Sequence, residues 1–455
     1  MKSQTVWQRT LEFAGCKPVI VETSEALLTS DAGLLPLREF DRRWQFTERM
    51  AACLDDDRRH PAHSRAEMLR QRLFGILADY EDCNDHDDLR HDPVFKLIAE
   101  RSPAAAALAS QPTLSRFENA VTPGMLLALI DFNIRAGVER LQQHHGGTLP
   151  DAVTLDIDPT DDATHGKQQL TLFHGYYNQH QYFPQVISEP TTKHVFLAWL
   201  RPGAVHPSLG ADDDLKRVVD GIRNTKSEIA IHIRGDCGFG LPKMYRFCEE
   251  HGLTYTFGIA TNERLKVAAA ALMQRAVRQY EQTGEKQRLF THFQYQAKSW
   301  KHPRTVVAKA ECQAAGTNLR FVVTSLAVTS AEQARQRYDD YIQRGESEQR
   351  NDELKNGLCM DRLSCHRFKA NFWRLLLHVA AYNLLNAFRD SEEIPEALRH
   401  AQPQTWRTRL IKVAARVTQS TRRIVVELSS SWPHWDSYAR VTDRAFCFAP
   451  SPGGT

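Results

Sequence analysis

The chain has 455 residues, of which 42% are hydrophobic and 25% charged, and its formal net charge is +3. The length predicts about two to four modules. The composition is that of a soluble globular protein and excludes a disordered one, and the small net charge excludes a chain that is polycationic throughout. No stretch reaches the roughly 18 uninterrupted apolar residues of a membrane span, so no membrane partner is expected. The opening MKSQTVWQRT lacks the apolar core of a secretory signal. Nine scattered cysteines with no C-x-x-C pair predict free thiols in a reducing compartment.

The first ~145 residues carry helical signals. Ser64 and Glu67 form a capping box before SRAEMLRQRLFGILADY, where Met68, Leu69, Leu73, Ile76 and Leu77 recur at helical spacing. Asp92-Pro93 and Thr122-Pro123 each pair a cap with proline at the first helical position. His144-His145-Gly146-Gly147 reads as a linker.

The period then changes to two. AVTLDID (152–158) puts Val153, Leu155 and Ile157 on one strand face and Asp156 and Asp158 on the other. QLTLFHGYY (169–177) and KHVFLAWL (193–200) are further predicted strands, followed by a helix from Asp212 to Arg223. IAIHIRGD (229–236) alternates again, with Asp236 on the polar phase. A helix near Leu241, the strand LTYTFGI (253–259) and a helix from Asn262 to Tyr280 complete a mixed β/α layer pattern. Residues 286–327 predict an antiparallel β insert with Trp300 in a Ser-Trp-Lys-His-Pro turn. Helices resume at Ser330 and run into HRFKANFWRLLLHVAAYNLLNAFR (366–389), which is apolar nearly all round and therefore predicted to be buried. Between Leu398 and Val426, Arg399, Arg407, Arg409, Lys412, Arg416, Arg422 and Arg423 occur without an acidic residue. That stripe suits a phosphate backbone or a solvated helix face. The final SPGGT reads as disordered.

Chemistry concentrates in a few carboxylates. Asp158 and Asp236 each end an apolar strand, and Glu348 lies on a helix with Tyr341, Arg344 and Lys355. On one continuous helix at about 100° per residue, those four would lie within about 60° of one another. Three carboxylates from separate elements make an all-oxygen site suited to Mg²⁺ or Mn²⁺, and two ions about 3.5–4 Å apart serve in-line phosphoryl transfer. A strand-end Asp taken singly is an ordinary turn former or helix cap. Tyr341, Arg344 and Lys355 beside such a site could clamp a phosphate backbone.

Leu155-Asp156-Ile157-Asp158, His165-Gly166-Lys167-Gln168, Leu200-Arg201-Pro202-Gly203 and Arg234-Gly235-Asp236-Cys237-Gly238-Phe239 resemble bacterial insertion-sequence DDE transposases. With LASQPTLSRFEN (108–119) and FKANFWRLLLHVAAYNLL (368–385), the resemblance is to the thirteen-eighty family, near the group with the Tyr-Arg-Glu-Lys signature, and runs from about Gly33 to the tail. It implies an α/β fold: an RNase H-like catalytic core, a mixed β-sheet flanked by helices, with a β-rich insertion and a helical N-terminal domain. The implied division is 1–147 for DNA-end binding, 148–285 and 328–390 for the core, 286–327 for the insertion and 391–455 for the basic tail.

The resemblance implies Asp158, Asp236 and Glu348 as catalytic, metal-binding residues, with Asp156 as the alternative first ligand. Asp158 is preferred because Asp158-Pro159-Thr160 stands where relatives place Asp-Gly-Thr or Asp-Ser-Thr. Tyr341, Arg344 and Lys355 would grip DNA phosphates, which makes Arg344 and Lys355 DNA contacts and not salt-bridge partners of Glu348, and Trp300 would stack on a flipped base or be a β-core residue. From the basic stripe, Arg407, Arg409 and Arg416 are the tail's expected DNA contacts, with a solvated face as the alternative. The implied activity is cleavage of transposon ends and transfer of the 3′-hydroxyls to target DNA. It calls for Mg²⁺ or Mn²⁺ (two ions per site), double-stranded DNA, a homodimer at the synapse and no small-molecule substrate, in a bacterial cytoplasm at the nucleoid. The alternatives are an RNase H-like nuclease or recombinase without transposition, a domesticated inactive DNA-binding protein, and a zinc hydrolase.

Other constellations are weaker. Residues 79–88 look like a calcium loop, but a loop starting at Asp82 places Asp87 where Gly is needed and Pro93 where Glu is needed. Arg234-Gly235-Asp236 spells an adhesion tripeptide without a secretion signal. Cys359, Cys365 and His366 lack a fourth ligand and zinc spacing. His165 reads either as a contact near the site or as a turn hydrogen bond.

Overall fold

The strand that closes on Asp158 becomes the middle of a mixed eight-stranded sheet in the computed structural model, which describes residues 7–14, 17–391 and 393–448. Its strands are β1 (Ala152–Pro159), β2 (Gln185–Ser188), β3 (Val195–Trp199), β4 (Ala230–Gly235), β5 (Thr254–Ile259), β6 (Gln287–Tyr295), β7 (Arg304–Gln313) and β8 (Gly316–Thr324), in spatial order β6-β7-β8-β5-β4-β1-β2-β3. β1, β2 and β3 form an antiparallel meander. β4 and β5 run parallel to β1, each reached through a helix. The strands expected in the 286–327 insert do form, and they extend the same sheet through β8, antiparallel to β5.

One strand expectation needs correction, and one strand was missed. Only Leu172–His174 of residues 169–177 is a strand, and it belongs to a separate small sheet with Asp162–Ala163 and Gln179–Tyr182. β2 was not anticipated, because QVIS is buried along its whole length and so carries no alternation. The alternation of β1 also hides a second burial. Asp156 is as inaccessible as Leu155 and Ile157, because helices cover the polar face as well.

The helical signals hold locally. Ser64 accepts from the Glu67 amide at 3.1 Å while Glu67 accepts from the Ser64 amide at 2.8 Å. Asp92 and Thr122 cap their helices as the sequence predicts. The N-terminal region is not helical throughout, however. Gln8–Leu11 pairs with Val19–Glu22, and Leu27–Thr29 joins a three-stranded sheet with Ala415–Gln419 and Ile424–Leu428. The basic tail therefore returns to the N-terminal region, where its Trp435–Cys447 helix packs on the Leu34–Trp44 helix.

The Phe368–Arg389 helix is buried from Ala370 to Arg389, as its all-round apolarity predicts. Its polar groups find partners. Asn383 donates to the Val195 carbonyl and accepts from the Val195 amide, both at 2.9 Å, and His378 bonds the Leu358 carbonyl at 2.8 Å. Around it one hydrophobic core extends from Leu34 to Phe448. The helix thus joins the N-terminal helices to β3. Among the described residues no single helix is long and apolar enough to cross a membrane, and the eight cysteines are free. The SPGGT run lies outside the described residues.

Candidate active site

β1 and β4 lie side by side in parallel, with Asp156 opposite Arg234 and Ile157 opposite Gly235. One further step along both strands sets Asp236 beside Asp158 on the same face, at the C-terminal ends where chains of this topology leave the sheet. Asp236 begins a turn in which the Gly238 amide donates to its Oδ1 at 2.8 Å. Asp158 Oδ2 accepts from Ser347 Oγ at 3.2 Å and Asn351 Nδ2 at 3.4 Å. Both donors sit on the helix Gly345–Asp352 that carries Glu348. The sheet and that helix are therefore stitched together at the proposed first ligand.

Asp158 is strongly perturbed. Burial pushes its carboxyl up to about 7, opposed by Arg344 and reinforced by the charges of Asp236 and Glu348. The last two acids are thus close enough to be felt at Asp158. Arg344 stands between them, Nη1 3.5 Å from Asp158 and Nη2 3.4 Å from Glu348. Burial works against its guanidinium, yet Asp158, Tyr341, Asp236 and Glu348 hold its proton more firmly than usual. Glu348 itself is 70% exposed. Among the described residues, the acid and thiol groups gathered within 4.8 Å of one another are Asp79, Glu81 and Cys359, so the three carboxylates are spread wider than that.

Asp156 occupies a different environment. It is fully buried, with Arg234 Nε at 2.7 Å, Arg234 Nη2 at 3.0 Å and Arg350 Nη2 at 2.6 Å from its oxygens. Arg350 also donates to Ser188 Oγ at 3.0 Å, and Arg234 to the Asp340 carbonyl at 2.6 Å. These contacts lock the helices on either side of Arg344 onto the sheet. Sequence reasoning missed Arg234, Arg350, Ser347 and Asn351. Only Arg234 had a signal, as the charged residue on the polar phase of β4 two places before Asp236.

The single-helix stripe is not formed. Tyr341 ends the helix Ala331–Ile342, Arg344 is the N-cap residue of Gly345–Asp352, and Lys355 sits in a π-turn at Glu353–Gly357. A helix break and a widened turn each change the angle per residue, so a 100° step no longer applies. Lys355 pairs with Asp161 at 2.9 Å. Arg344, read as a DNA contact and not a partner of Glu348, does pair with it. The Tyr341 hydroxyl fits where Gly258 lacks a side chain, since a Cβ there would lie 2.8 Å from it and 2.8 Å from the Cys237 amide nitrogen.

Two of the expected DNA contacts are enclosed. Trp300 is 6% exposed, edge-on to Tyr245 at 5.1 Å and Tyr295 at 5.4 Å with the Arg304 guanidinium 5.5 Å from its ring, so no face is free for a base. Arg407 is buried, donates to the Ile76 and Leu77 carbonyls, and pairs with Asp79 at 2.8 Å. Arg409 and Arg416 are exposed. The zinc arrangement is absent among the described residues: Cys359 lies by Asp79 and Glu81, which Arg407 and Arg362 already pair, and Cys365 faces Glu118. His165 lines an open cleft with Lys167, Asp361 and His366.

No curated protein matches the chain. The family model described as transposase DDE domain group 1 matches residues 12–446, and the chain belongs to that family of transposases.

Proposed function

We propose that this DDE transposase binds the terminal inverted repeats of an insertion sequence of the thirteen-eighty family, cleaves the DNA ends and joins the 3′-hydroxyls to target DNA. Asp158, Asp236 and Glu348 are the catalytic carboxylates. The observation that carries this reading is the placement of Asp158 and Asp236 at the adjoining ends of two parallel strands, with Asp158 bonded to the helix that carries Glu348. Asp156 is the supporting residue, because both its oxygens are already taken by arginines.

The donor set fits Mg²⁺ or Mn²⁺. It is all oxygen, and Asp158 is held toward its protonated form by burial and by the neighbouring acids, which is the condition a cation relieves. When bound between Asp158, Asp236 and Glu348, one or two such ions would supply positive charge to the reacting phosphate. In hydrolysis the water oxygen bonds to phosphorus and the bridging 3′-oxygen leaves with a proton. In strand transfer the freed 3′-hydroxyl replaces the water, and the target's own 3′-oxygen leaves.

The chain's cations hold the substrate. Arg344, with Tyr341 beside it, exchanges its carboxylate partners for a DNA phosphate, Lys355 exchanges Asp161 for another, and exposed Arg409 and Arg416 add backbone contacts farther out. The order β3-β2-β1-β4-β5 supports an RNase H-like core at 148–285 and 328–390, with β6 to β8 as its insertion. Residues 1–147 read the DNA ends, and 391–455 form the basic tail. Two ends cut in register call for a homodimer at the synapse, in the cytoplasm at the nucleoid.

The test is incubation of the protein with Mg²⁺ and DNA bearing its element's terminal repeats. Nicks at the repeat boundary and joining to a target are expected. Asp236→Ala and Glu348→Ala should abolish both while keeping end binding. Full activity in either variant, or cleavage in the presence of a chelator, overturns the reading.

A further inference from the structure

Beyond the carboxylate end of the sheet, the β1–β2 hairpin does not stop. Pro159 pairs with Gln185, the Thr160 amide donates to the Pro184 carbonyl at 2.9 Å, and Asp162 pairs with Tyr182 in the small three-stranded sheet. That sheet is thus a direct extension of the strands that carry Asp158. Its outer strand and tip expose Leu172, Phe173 and Tyr176, with Tyr176 87% accessible. Large rings so open to water on a surface need an explanation.

Tyr177 ties this tip back to the site. Its ring centroid lies 6.0 Å from Phe183, 5.0 Å from His174 and 5.0 Å from Tyr176. Burial raises its phenol, and the charges of Asp161, Asp158 and Asp236 raise it further, so it stands within the field of two of the proposed catalytic carboxylates. From Ala163 to Ser188 there is no acidic residue, while His165, Lys167 and His180 are exposed. The acids of this sheet, Asp161 and Asp162, stand at its base next to Asp158, and flat rings on the acid-free remainder suit a nucleic acid strand. They suit in particular one whose bases show their faces, which paired bases inside a duplex do not.

We propose that Tyr176, with Phe173 beside it, stacks on an unpaired base of the DNA strand whose phosphodiester lies at Asp158, Asp236 and Glu348. The inference rests on the transposase reading above, and it assigns to this hairpin the stacking surface that the enclosed Trp300 does not offer. Splayed bases next to the cut would be held in place while the backbone is positioned for attack.

The experiment uses the full chain with Ca²⁺ and two 2-aminopurine-labelled oligonucleotides of the same sequence, a blunt duplex and a fork with unpaired nucleotides at one end. Wild type is expected to bind the fork more tightly and to quench its fluorescence. Tyr176→Ala should weaken fork binding about ten- to a hundredfold and lose the quenching, with blunt-duplex affinity and melting temperature unchanged. Tyr176→Trp should retain both. If wild type binds DNA and Tyr176→Ala binds and quenches the fork equally, the stacking proposal falls and the transposase reading stands. A change confined to oligomeric state in Phe173→Ala/Tyr176→Ala would overturn it too, marking the patch as a contact between copies. If wild type binds neither DNA, the DNA-end reading falls with it.

Discussion

Asp156 and Arg234 face each other across two parallel strands, the carboxylate held by Nε at 2.7 Å and Nη2 at 3.0 Å, with Arg350 closing on it from a helix. Two residues farther along the same strands, Asp158 and Asp236 meet no such clamp. Neighbouring carboxylates on one strand face thus have separate tasks. Asp156 neutralises two buried guanidinium groups, and Asp158 is left as the site's perturbed acid.

Asp156→Asn leaves Arg234 and Arg350 buried without a counter-charge, and should cost about 3–5 kcal/mol of folding free energy. Asp158→Asn should keep or raise stability, since it removes a desolvated charge, yet abolish cleavage. Urea unfolding of the two variants, beside an end-cleavage assay, checks this. A stable Asp156→Asn protein that had lost only its chemistry would reverse the two roles.

The Asp158 carboxyl is raised from 3.8 to about 7, so its proton is bound more tightly in the folded chain than in the unfolded one. The associated stability is complete below about pH 4 and disappears as pH rises through 7. Burial moves Asp214 to about 7 as well, in the same window. The melting temperature of wild type minus that of Asp158→Asn isolates the first group. In a chelator this difference should fall between about pH 4 and 7, and a flat difference would show that Asp158 titrates normally.

Of the three tail arginines, only two should affect DNA binding directly. Arg407→Ala removes two carbonyl contacts and an ion pair from a buried site, and should cost at least about 2 kcal/mol in chemical unfolding. Arg409→Ala/Arg416→Ala should leave stability within about 0.5 kcal/mol. The double variant should also lower the slope of log affinity against log salt by about 2. An unchanged slope would mean that these side chains are simply solvated.

Gly258→Ala drives a methyl group into the Tyr341 hydroxyl and the Cys237 amide. The second contact is backbone and cannot swing away. A loss of about 1–3 kcal/mol is expected, with a larger effect on cleavage because the turn carrying Asp236 must shift. Adding Tyr341→Phe should recover part of the stability. Wild-type cleavage by Gly258→Ala would show that the turn tolerates movement.

Trp300→Ala should cost about 3–5 kcal/mol, as core aromatic truncations do. Trp300→Phe should fold and cleave. If Trp300→Phe instead lost only its preference for unpaired DNA ends, the ring would be a base contact after all.

Much of the outline was legible from local rules. Caps at Ser64, Asp92 and Thr122, the alternation of β1 and β4, and the apolar Phe368–Arg389 helix all follow from chemistry within a few residues of one another. Asp158, Asp236 and Glu348 could likewise be singled out by where they fall on their elements. What periodicity alone could not register is a departure from regular geometry. The break after Ile342 and the π-turn at Glu353–Gly357 dissolve a stripe that a constant 100° step had drawn.

Burial of charge was the other blind spot. Arg407, Arg409 and Arg416 are identical letters in one basic run, yet Arg407 fills a buried site while the other two meet water. Asp156 and Asp158 share a strand face and differ in what the adjacent strand and the covering helix bring to them. The sequence by itself determined which residues could bear charge, where the capped helices and the alternating strands begin, and which acids stand at strand ends. Only the tertiary structure decided which of those charges are neutralised, because an ion pair can join groups far apart in the chain, 194 residues in the case of Asp156 and Arg350. Local sequence carries no record of that distance.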